Sequence, residues 1–380
     1  MSEVEIGINK SGRAAYGLDE LSIVPARRTR DAADVDLSWQ LDAFSFALPF
    51  LTAASDAVVS PERAIEIGQL GGLAVLDLEG LWTRYEHPEP LLEEIAGLPE
   101  DQVTRRLQEI YAAPVRAELV TERVHQVARS GAVACGSLSP AHAAALAPAA
   151  IAGELDVLVV QGTVVSAEHV SKKSEPLDLE ALIREIDLPV LVGGCSSYQA
   201  ALHLMRTGAV GVIVGMGEGG ASRTAEVLGL GVPLASAIAD AAGARSRHLE
   251  ETGVYVQIIA AGPINHSADI AKALACGADA VMLGAPLAAA KGAPGHGAHW
   301  FTSAAHPRLP RAARVATPTC ASLEEILLGP THGEDGRVNL FGALRKTIAL
   351  CGYANVREFH KADVVVSRSG SGRARSLRPG

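Results

Sequence analysis

The stretch VGMGEGGASRTAEVLGLGVP, residues 214 to 233, follows a run of β-branched residues and opens with four glycines and a polar turn. Glycines at positions 215, 217, 219 and 220 have no Cβ atom, so the backbone there can bend sharply and approach a ligand closely. Such a loop can point N–H groups at a phosphate or C=O groups at a cation. An ordinary turn from a strand into a helix can have the same composition. The sequence on either side of the loop is needed to distinguish a ligand-binding loop from an ordinary turn.

Around this loop, short apolar runs alternate with helical segments. Eight such runs are present, and each is followed by a helix or by a longer excursion. Eight parallel strands with interposed helices close most naturally as a (β/α)8 barrel, although a doubly wound sheet uses the same local units. We therefore predict an α/β fold with a single (β/α)8 TIM barrel, whose strands lie at 48–56, 73–80, 132–139, 156–163, 189–195, 209–217, 254–262 and 278–286.

Several segments lie outside this alternation, beginning with an N-terminal extension. Residues 81–119 are charged, punctuated by proline and helical in pattern, which predicts a helical excursion too short to be a domain. Residues 291–315 are rich in Gly, Pro and His and predict a mobile, flap-like lid over the barrel mouth. One more amphipathic helix is expected within 336–360. A single domain should thus span 1–366, and the basic Ser/Gly/Arg tail 367–380 should be disordered.

Composition narrows the class of protein. The formal net charge of -10 argues against a nucleic-acid-binding surface. No apolar run approaches the roughly 18 residues of a membrane span, and the N-terminus lacks a signal-peptide core. We therefore expect a cytoplasmic protein with neither a membrane nor a nucleic-acid partner. The five cysteines are widely spaced and form no CxxC pair, which predicts reduced thiols rather than disulfides or a zinc site.

Candidate chemistry should lie where the barrel strands end. Ser222 follows the glycine loop without a GxSxG context, so it is either a helix cap or a nucleophile. His296, His299 and His306 lack the spacing of a helical metal site. No acid/base pair can be assigned from the sequence alone. The strand-end positions of interest are Asp56, Asp77, Glu79, 161–168, 215–224, 261–266 and 284–286.

The order of these pieces resembles the IMP dehydrogenase and GMP reductase family. LDELSIVPARRTR (18–30) resembles its N-terminal segment, LPFLTAASDAVVSPERAIEIGQLGGLAVL (48–76) its first βα unit, and RTGAVGVIVGMGEGGASRTAEVLGLGVP (206–233) its catalytic loop. More closely, VVQGTVVSAEHVS, ALHLMRTGA and IAKALACGADAVMLG resemble the short actinobacterial members that lack tandem CBS domains. The excursion 81–119 stands where those domains would be inserted.

The resemblance implies a reaction, a cofactor and an assembly. In the family, a cysteine of the catalytic loop attacks purine C2, hydride passes to NAD, and the covalent intermediate is hydrolysed. A monovalent cation sits against the same loop, and the barrels pack as tetramers. NAD, potassium and a homotetramer are therefore implied here, with Ser222 at the cysteine position and Gly217 and Gly219 offering carbonyls to potassium. The nucleotide-binding positions are Gly215, Gly217, Gly219, Gly220, Gly262, Gly284 and Ala285, and the cofactor-binding positions are Gln161, Gly162 and Gly194.

Several of these positions depart from the family pattern. The nucleophilic thiol is replaced by the hydroxyl of Ser222, and an alkoxide is far harder to form at neutral pH than a thiolate. Ala261 replaces the aspartate that grips the ribose, Pro263 removes a backbone donor, and Ala285 replaces a phosphate-contacting serine. Gln161 occupies the position at which the family has an aspartate on the nicotinamide side of the site. The family's Arg-Tyr pair is not recognisable in the lid.

These losses predict a protein of purine nucleotide metabolism by descent whose IMP dehydrogenase activity is weak or absent. A complete absence of activity would make it a pseudoenzyme. One alternative is a non-catalytic purine-nucleotide sensor, or an oligomeric partner of an active paralogue. Another is a barrel enzyme repurposed to a different substrate, with Glu218, His266 and His296 as new site residues.

Overall fold

Eight short parallel strands form the centre of the structure, a computed structural model that describes residues 3–172, 176–216 and 219–366. We number them β1 Phe50–Thr52, β2 Val75–Asp77, β3 Cys135–Leu138, β4 Val157–Gln161, β5 Val190–Cys195, β6 Gly211–Val214, β7 Gln257–Ala261 and β8 Ala280–Leu283. Their order in the sheet is β1-β8-β7-β6-β5-β4-β3-β2, and a parallel bridge between Leu51 and Leu73 joins the two edges. The predicted (β/α)8 barrel with eight strands is confirmed.

Helices alternate with these strands and cover the barrel from outside. The first helix has a capped start, because the Ser60 side chain accepts a hydrogen bond from the N–H of Arg63 at 3.1 Å and Pro61 opens the helix. The helices are α1 Pro61–Gln69, α2 Glu89–Gly97, α3 Glu100–Ile110, α4 Ala117–Ala128, α5 Ala143–Ala152, α6 Leu179–Glu185, α7 Tyr198–Arg206, α8 Thr224–Leu228, α9 Leu234–Thr252, α10 Ser267–Ala275, α11 Ala285–Ala288, α12 Leu323–Leu328, α13 Leu340–Leu350 and α14 Val356–Phe359. The excursion thus carries α2 and α3, and α13 is the expected C-terminal helix.

A hairpin that sequence reasoning missed closes one end of the barrel. Its antiparallel strands, Trp39–Leu41 and Phe44–Phe46, place buried side chains in the same core cluster as inward-facing barrel residues such as Ile213. The indole N–H of Trp39 donates to the side-chain oxygen of Gln257, the first residue of β7, at 3.1 Å. The hairpin therefore covers the N-terminal ends of the strands, and the carboxyl ends form the mouth.

Shorter strand pairs lie outside the barrel. The chain begins with the hairpin Glu3–Gly7 and Lys10–Arg13, and Leu21–Ile23 pairs with Val364–Val366. No helix in the described ranges is long and apolar enough to cross a membrane. The tail 367–380, which we expected to be disordered, falls outside the described residues.

The excursion packs against the segment that follows β8. We call residues 298–316 the lid segment; it contains the strand pair Ala298–His299 and Val315–Ala316. Apolar side chains of α2 and α3 share one buried cluster with lid residues, including Trp300. The Arg314 guanidinium also donates to the carbonyl oxygens of the last turn of α2, at 3.0 and 2.8 Å. The excursion therefore supports the lid segment from outside, and the mobility expected of the lid stays a prediction.

Candidate functional site

A cavity of about 560 Å³ lies at the mouth of the barrel. Seven strand ends line it, and among the described residues β5 contributes none. Its volume falls within the range of small-molecule sites, and the carboxyl ends of the strands are where enzymes of this architecture hold their substrates. The glycine loop after β6 and the lid segment complete its wall. This cavity is the candidate site.

Nine of the residues implied by the family resemblance line this cavity. Gly194 does not: its N–H donates to the carbonyl oxygen of Gly162 at 3.0 Å, between β4 and β5. Gly217 and Glu218 lie outside the described residues. The nine that line the cavity are Gln161, Gly162, Gly215, Gly219, Gly220, Ser222, Gly262, Gly284 and Ala285.

Packing of two strand ends accounts for Gly215. Its φ is 132°, and a Cβ atom at this position would lie 1.7 Å from the carbonyl oxygen of Ala261. Only glycine accepts both conditions without strain, so this glycine has a structural role that needs no ligand. In the same loop, the carbonyl of Gly219 accepts a hydrogen bond from the N–H of Ser222 at 3.1 Å. The potassium site implied for this carbonyl and that of Gly217 stays a prediction.

The hydroxyl of Ser222 has no base beside it among the described residues. Its Oγ lies 3.4 Å from the Thr224 hydroxyl and accepts from the Thr224 N–H at 3.4 Å. The neighbouring backbone is paired with the lid segment, since the N–H of Arg223 donates to the Arg311 carbonyl at 2.7 Å. A serine hydroxyl needs an adjacent base to act as a nucleophile. Ser222 is therefore positioned but not activated.

A polar cluster lies at the ends of β2 and β3. Glu79 accepts hydrogen bonds from the N–H and, at 3.1 Å, the hydroxyl of Ser139, and it also contacts Nδ1 of His142. The Ser139 hydroxyl lies 3.4 Å from the same Nδ1. A Ser-His-acid triad uses opposite ring nitrogens for the serine and the acid, so this cluster is not such a triad. It offers a histidine–carboxylate pair for proton transfer at the cavity wall.

Two aspartates near this cluster have raised pKa values. Asp56 is buried, and burial raises its pKa although the Tyr111 hydroxyl donates to it at 2.6 Å. Burial also raises the pKa of Asp77, and the nearby charges of Asp56 and Glu79 raise it further. The hydroxyl of Thr302 in the lid segment donates to Asp77. Asp77 therefore joins β2 to the lid segment through a readily protonated carboxyl group.

We expect Asp77→Asn to stabilise the protein more at high pH than at low pH. A carboxyl group with a raised folded-state pKa contributes stability below its unfolded pKa, and this stability is lost as the pH rises through the folded value. Asparagine keeps a partner for Thr302 without a charge, so its advantage in unfolding free energy should grow by at least ~1 kcal/mol between about pH 5 and about pH 8. Urea denaturation at both pH values measures this. The exposed-carboxylate control Asp101→Asn should give no such change, and an Asp77→Asn effect independent of pH would contradict the assignment.

His299 is a buried histidine at the cavity wall without a hydrogen-bond partner. It is 3% exposed, and neither ring nitrogen is bonded within the described structure. Burial lowers its pKa to about 4, so the ring is neutral at physiological pH. The ring packs edge-on against Phe301, with centroids 4.8 Å apart, and a Cβ on Gly284 would lie 3.0 Å from its Cε1. Unbonded buried polar atoms are costly, so this ring is an unsatisfied polar group at the cavity wall.

The ends of β7, β8 and β1 form an apolar side of the cavity. Among the described lining residues at these three ends, Asn265 has the one polar side chain. Pro263 has no N–H to donate, and alanines offer no side-chain hydrogen bond. Apart from Asn265, no described side chain of these ends can replace the ribose and phosphate contacts that the sequence lacks. The apolar side chains of this lining are Ala53, Ala54, Ala261, Pro263, Ile264, Met282 and Ala285.

Sequence reasoning missed several residues of the cavity. Ser139 and His142 follow the end of β3, and this position could have marked them. Tyr111 and Thr302 lie in the excursion and the lid segment, which carry no strand-end signal. Arg311 also lines the cavity from the lid segment, and its Nε donates to the Thr163 hydroxyl at 3.3 Å. The mouth is thus assembled partly from segments outside the barrel repeat.

Comparison with known proteins gives this geometry a context. The family model described as IMP dehydrogenase / GMP reductase domain matches residues 15–302. An uncharacterized oxidoreductase of Mycolicibacterium smegmatis is 46% identical over 372 residues, which cover 96% of this chain and 99% of that protein. Inosine-5'-monophosphate dehydrogenase of Methanocaldococcus jannaschii is 26% identical over 376 residues, covering 74% and 73%. A crystal structure of an IMP dehydrogenase/GMP reductase-like protein from Corynebacterium glutamicum matches with a TM-score of 0.92 and 45% identity, covering 96% and 98%.

Proposed function

Because the chain belongs to the IMP dehydrogenase / GMP reductase family, we propose that it is an oxidoreductase of that family that binds a small molecule at the barrel mouth but converts IMP to XMP weakly or not at all. The observation that carries this proposal is Ser222, which stands at the position of the nucleophilic cysteine and contacts Thr224 rather than a base. Without a thiolate, the covalent step of the family reaction has no nucleophile.

No other thiol takes over this role within the described structure. None of the residues that line the cavity is a cysteine. Cys195 at the end of β5 is buried, and burial raises the pKa of its thiol to about 12. A thiol with such a pKa is protonated at neutral pH and is a poor nucleophile. The proposal therefore does not depend on Ser222 alone.

The relatives named as oxidoreductases favour a retained redox role, and we propose NAD as the cofactor. Gln161 and Gly162 would hold its nicotinamide end. The Gln161 amide has the Met282 thioether, a weak acceptor 3.7 Å away, as its partner, which leaves the amide available to a carboxamide. When bound, NAD would supply a hydride acceptor. The pair of Glu79 and His142 at the same cavity would hold or release the accompanying proton.

Purified protein supplied with IMP, NAD and potassium is expected to form XMP at a rate at least ~100-fold below the roughly 1 s⁻¹ at the low end of typical enzymes. The reason is the missing thiolate together with the missing ribose and phosphate contacts. Chromatographic detection of XMP measures the rate. Ser222→Cys restores the thiol but none of those contacts, so it too should stay well below ~1 s⁻¹. Turnover of IMP by the unaltered protein at ~1 s⁻¹ or faster would overturn the proposal.

A second candidate function is a ligand sensor, or an oligomeric partner of an active paralogue. The pairing of the glycine loop with the lid segment favours it, because the N–H of Ala313 donates to the Ala221 carbonyl at 2.8 Å and holds the mouth partly covered. This function predicts ligand-dependent stabilisation without turnover of any NAD-linked substrate. Co-purification with a paralogue would support the partner role. In both cases we propose a cytoplasmic homotetramer, which light scattering can test.

A further inference from the structure

The cavity has two chemically different sides. At the ends of β7, β8 and β1 it is apolar, as described above. At the ends of β2, β3 and β4 it is lined by polar side chains that include two carboxylates: Asp77, Glu79, Ser137, Ser139, Gln161 and Thr163. A ligand that fits both sides has an apolar surface and a face that forms hydrogen bonds.

The acidic side chains at the cavity wall and the engagement of its arginines disfavour a phosphate. Asp77 and Glu79 lie at the wall, and Asp56 lies behind them close enough to raise the pKa of Asp77. Of the two arginines that line the cavity, Arg84 donates to the carbonyls of Glu79 and Ala113. Arg311 donates to the Thr163 hydroxyl and to a carbonyl of its own segment. Both guanidinium groups thus donate to partners that lie outside the apolar side.

His299 adds an independent indication of a ligand. Its two ring nitrogens are buried and unbonded, and its ring lines the cavity and packs against Gly284 at the end of β8. Next to Gly284 is Ala285, where the family resemblance implies a serine that contacts phosphate. A neutral imidazole can donate one hydrogen bond and accept another, which suits an uncharged polar group. It offers a phosphate dianion no positive charge.

We propose that the barrel mouth binds a purine nucleoside in preference to its 5'-monophosphate, with His299 as a ligand-binding residue. The purine part of this proposal rests on the proposed function within the family, whereas the loss of the phosphate rests on the cavity itself. A nucleoside is uncharged and has an apolar ring face for the side of Ala261 and Met282. Its hydroxyl groups can form hydrogen bonds with the carboxyl groups of Asp77 and Glu79, and its ring edge can pair with His299.

Calorimetry of the purified full chain with inosine, guanosine, IMP and GMP, without NAD, tests this preference. At least one nucleoside is expected to bind about tenfold or more tightly than its own monophosphate. Equal or tighter binding of the monophosphates would overturn the proposal. Absence of binding by both nucleosides up to about 5 mM would also overturn it.

Two variants separate the role of His299 from a general effect on folding. His299→Ala should weaken nucleoside binding about tenfold. The matched control is His248→Ala, which removes another buried histidine with an unbonded nitrogen, located beside Val210 and Gln257 at the opposite end of the barrel. It should leave nucleoside affinity unchanged. Equal losses in both variants would assign the effect to folding and overturn the role of His299.

Ala285→Ser tests the phosphate side directly. A hydroxyl at this position should improve IMP binding severalfold more than it changes inosine binding, because inosine has no phosphate to contact it. An equal change for both ligands would contradict the proposal. These binding measurements use no cofactor, so they test the nucleoside preference separately from the proposed function. If the nucleoside preference is not found, the expected lack of XMP formation is unaffected. If XMP is formed, the proposed function is overturned, but the nucleoside preference is not decided.

Discussion

Trp300→Ala is expected to lower the free energy of unfolding by about 3 to 5 kcal/mol. Trp300 is 1% exposed and packs in the cluster that joins the excursion to the lid segment. Its indole N–H donates to the Tyr111 hydroxyl at 2.9 Å, and that hydroxyl donates to Asp56 at 2.6 Å. Alanine would leave a cavity the size of an indole ring and remove one member of this buried chain. Urea or guanidinium denaturation followed by circular dichroism measures the loss.

A milder substitution at the same position separates packing from hydrogen bonding. Trp300→Phe keeps most of the ring volume and loses the indole N–H, so we expect a loss of about 1 to 2 kcal/mol. If Trp300→Ala cost less than ~1 kcal/mol, the excursion would not stabilise the lid segment as the structure indicates. Similar losses in the two variants would mean that the hydrogen bond to Tyr111 outweighs the packing.

Gly215→Ala is expected to have an effect of similar size, about 3 to 5 kcal/mol, or to prevent folding of the chain. The added Cβ would lie 1.7 Å from the carbonyl oxygen of Ala261, and the φ of 132° is unfavourable for any residue with a Cβ. Relief requires the end of β6 to move away from the end of β7. Because both ends line the cavity, ligand binding should be lost together with stability.

Gly220→Ala in the same loop is the matched control. A Cβ on Gly220 would meet no described atom within 4 Å, so we expect a change within ~0.5 kcal/mol. Equal losses at the two positions would mean that the loop as a whole tolerates only glycine. Their difference isolates the close approach of the two strand ends.

The barrel could be predicted from the sequence because its signal repeats. Each strand is a short apolar run followed by a helix with a recognisable start, such as Ser60 and Pro61 at the beginning of α1. The hairpin around Trp39 carries no such repetition. Its position is decided by its packing into the barrel interior and by the hydrogen bond to Gln257, more than 200 residues away in the chain. Long-range contacts of this kind leave no local pattern.

The candidate site was predictable only at the strand ends. Asp77 and Glu79 follow β2 directly, and the alternation placed them at the mouth. The environments that give them their properties come from elsewhere, since Thr302 reaches Asp77 from the lid segment. The unbonded, buried state of the His299 ring could not be predicted either, because burial and the absence of a hydrogen-bond partner are properties of the folded chain. Residue types were visible in the sequence, but their protonation states were not.

The excursion leaves the barrel and returns to it at neighbouring points, because the N–H of Arg116 donates to the carbonyl of Thr83 at 2.9 Å. With its ends held together, the entropy of closing this loop depends only weakly on its length, at about 0.6 kcal/mol for each doubling. The barrel can therefore carry insertions of very different size at this place with little change in its own stability. A replacement segment would still have to supply the hydroxyl of Tyr111, which holds Asp56 and Trp300 together.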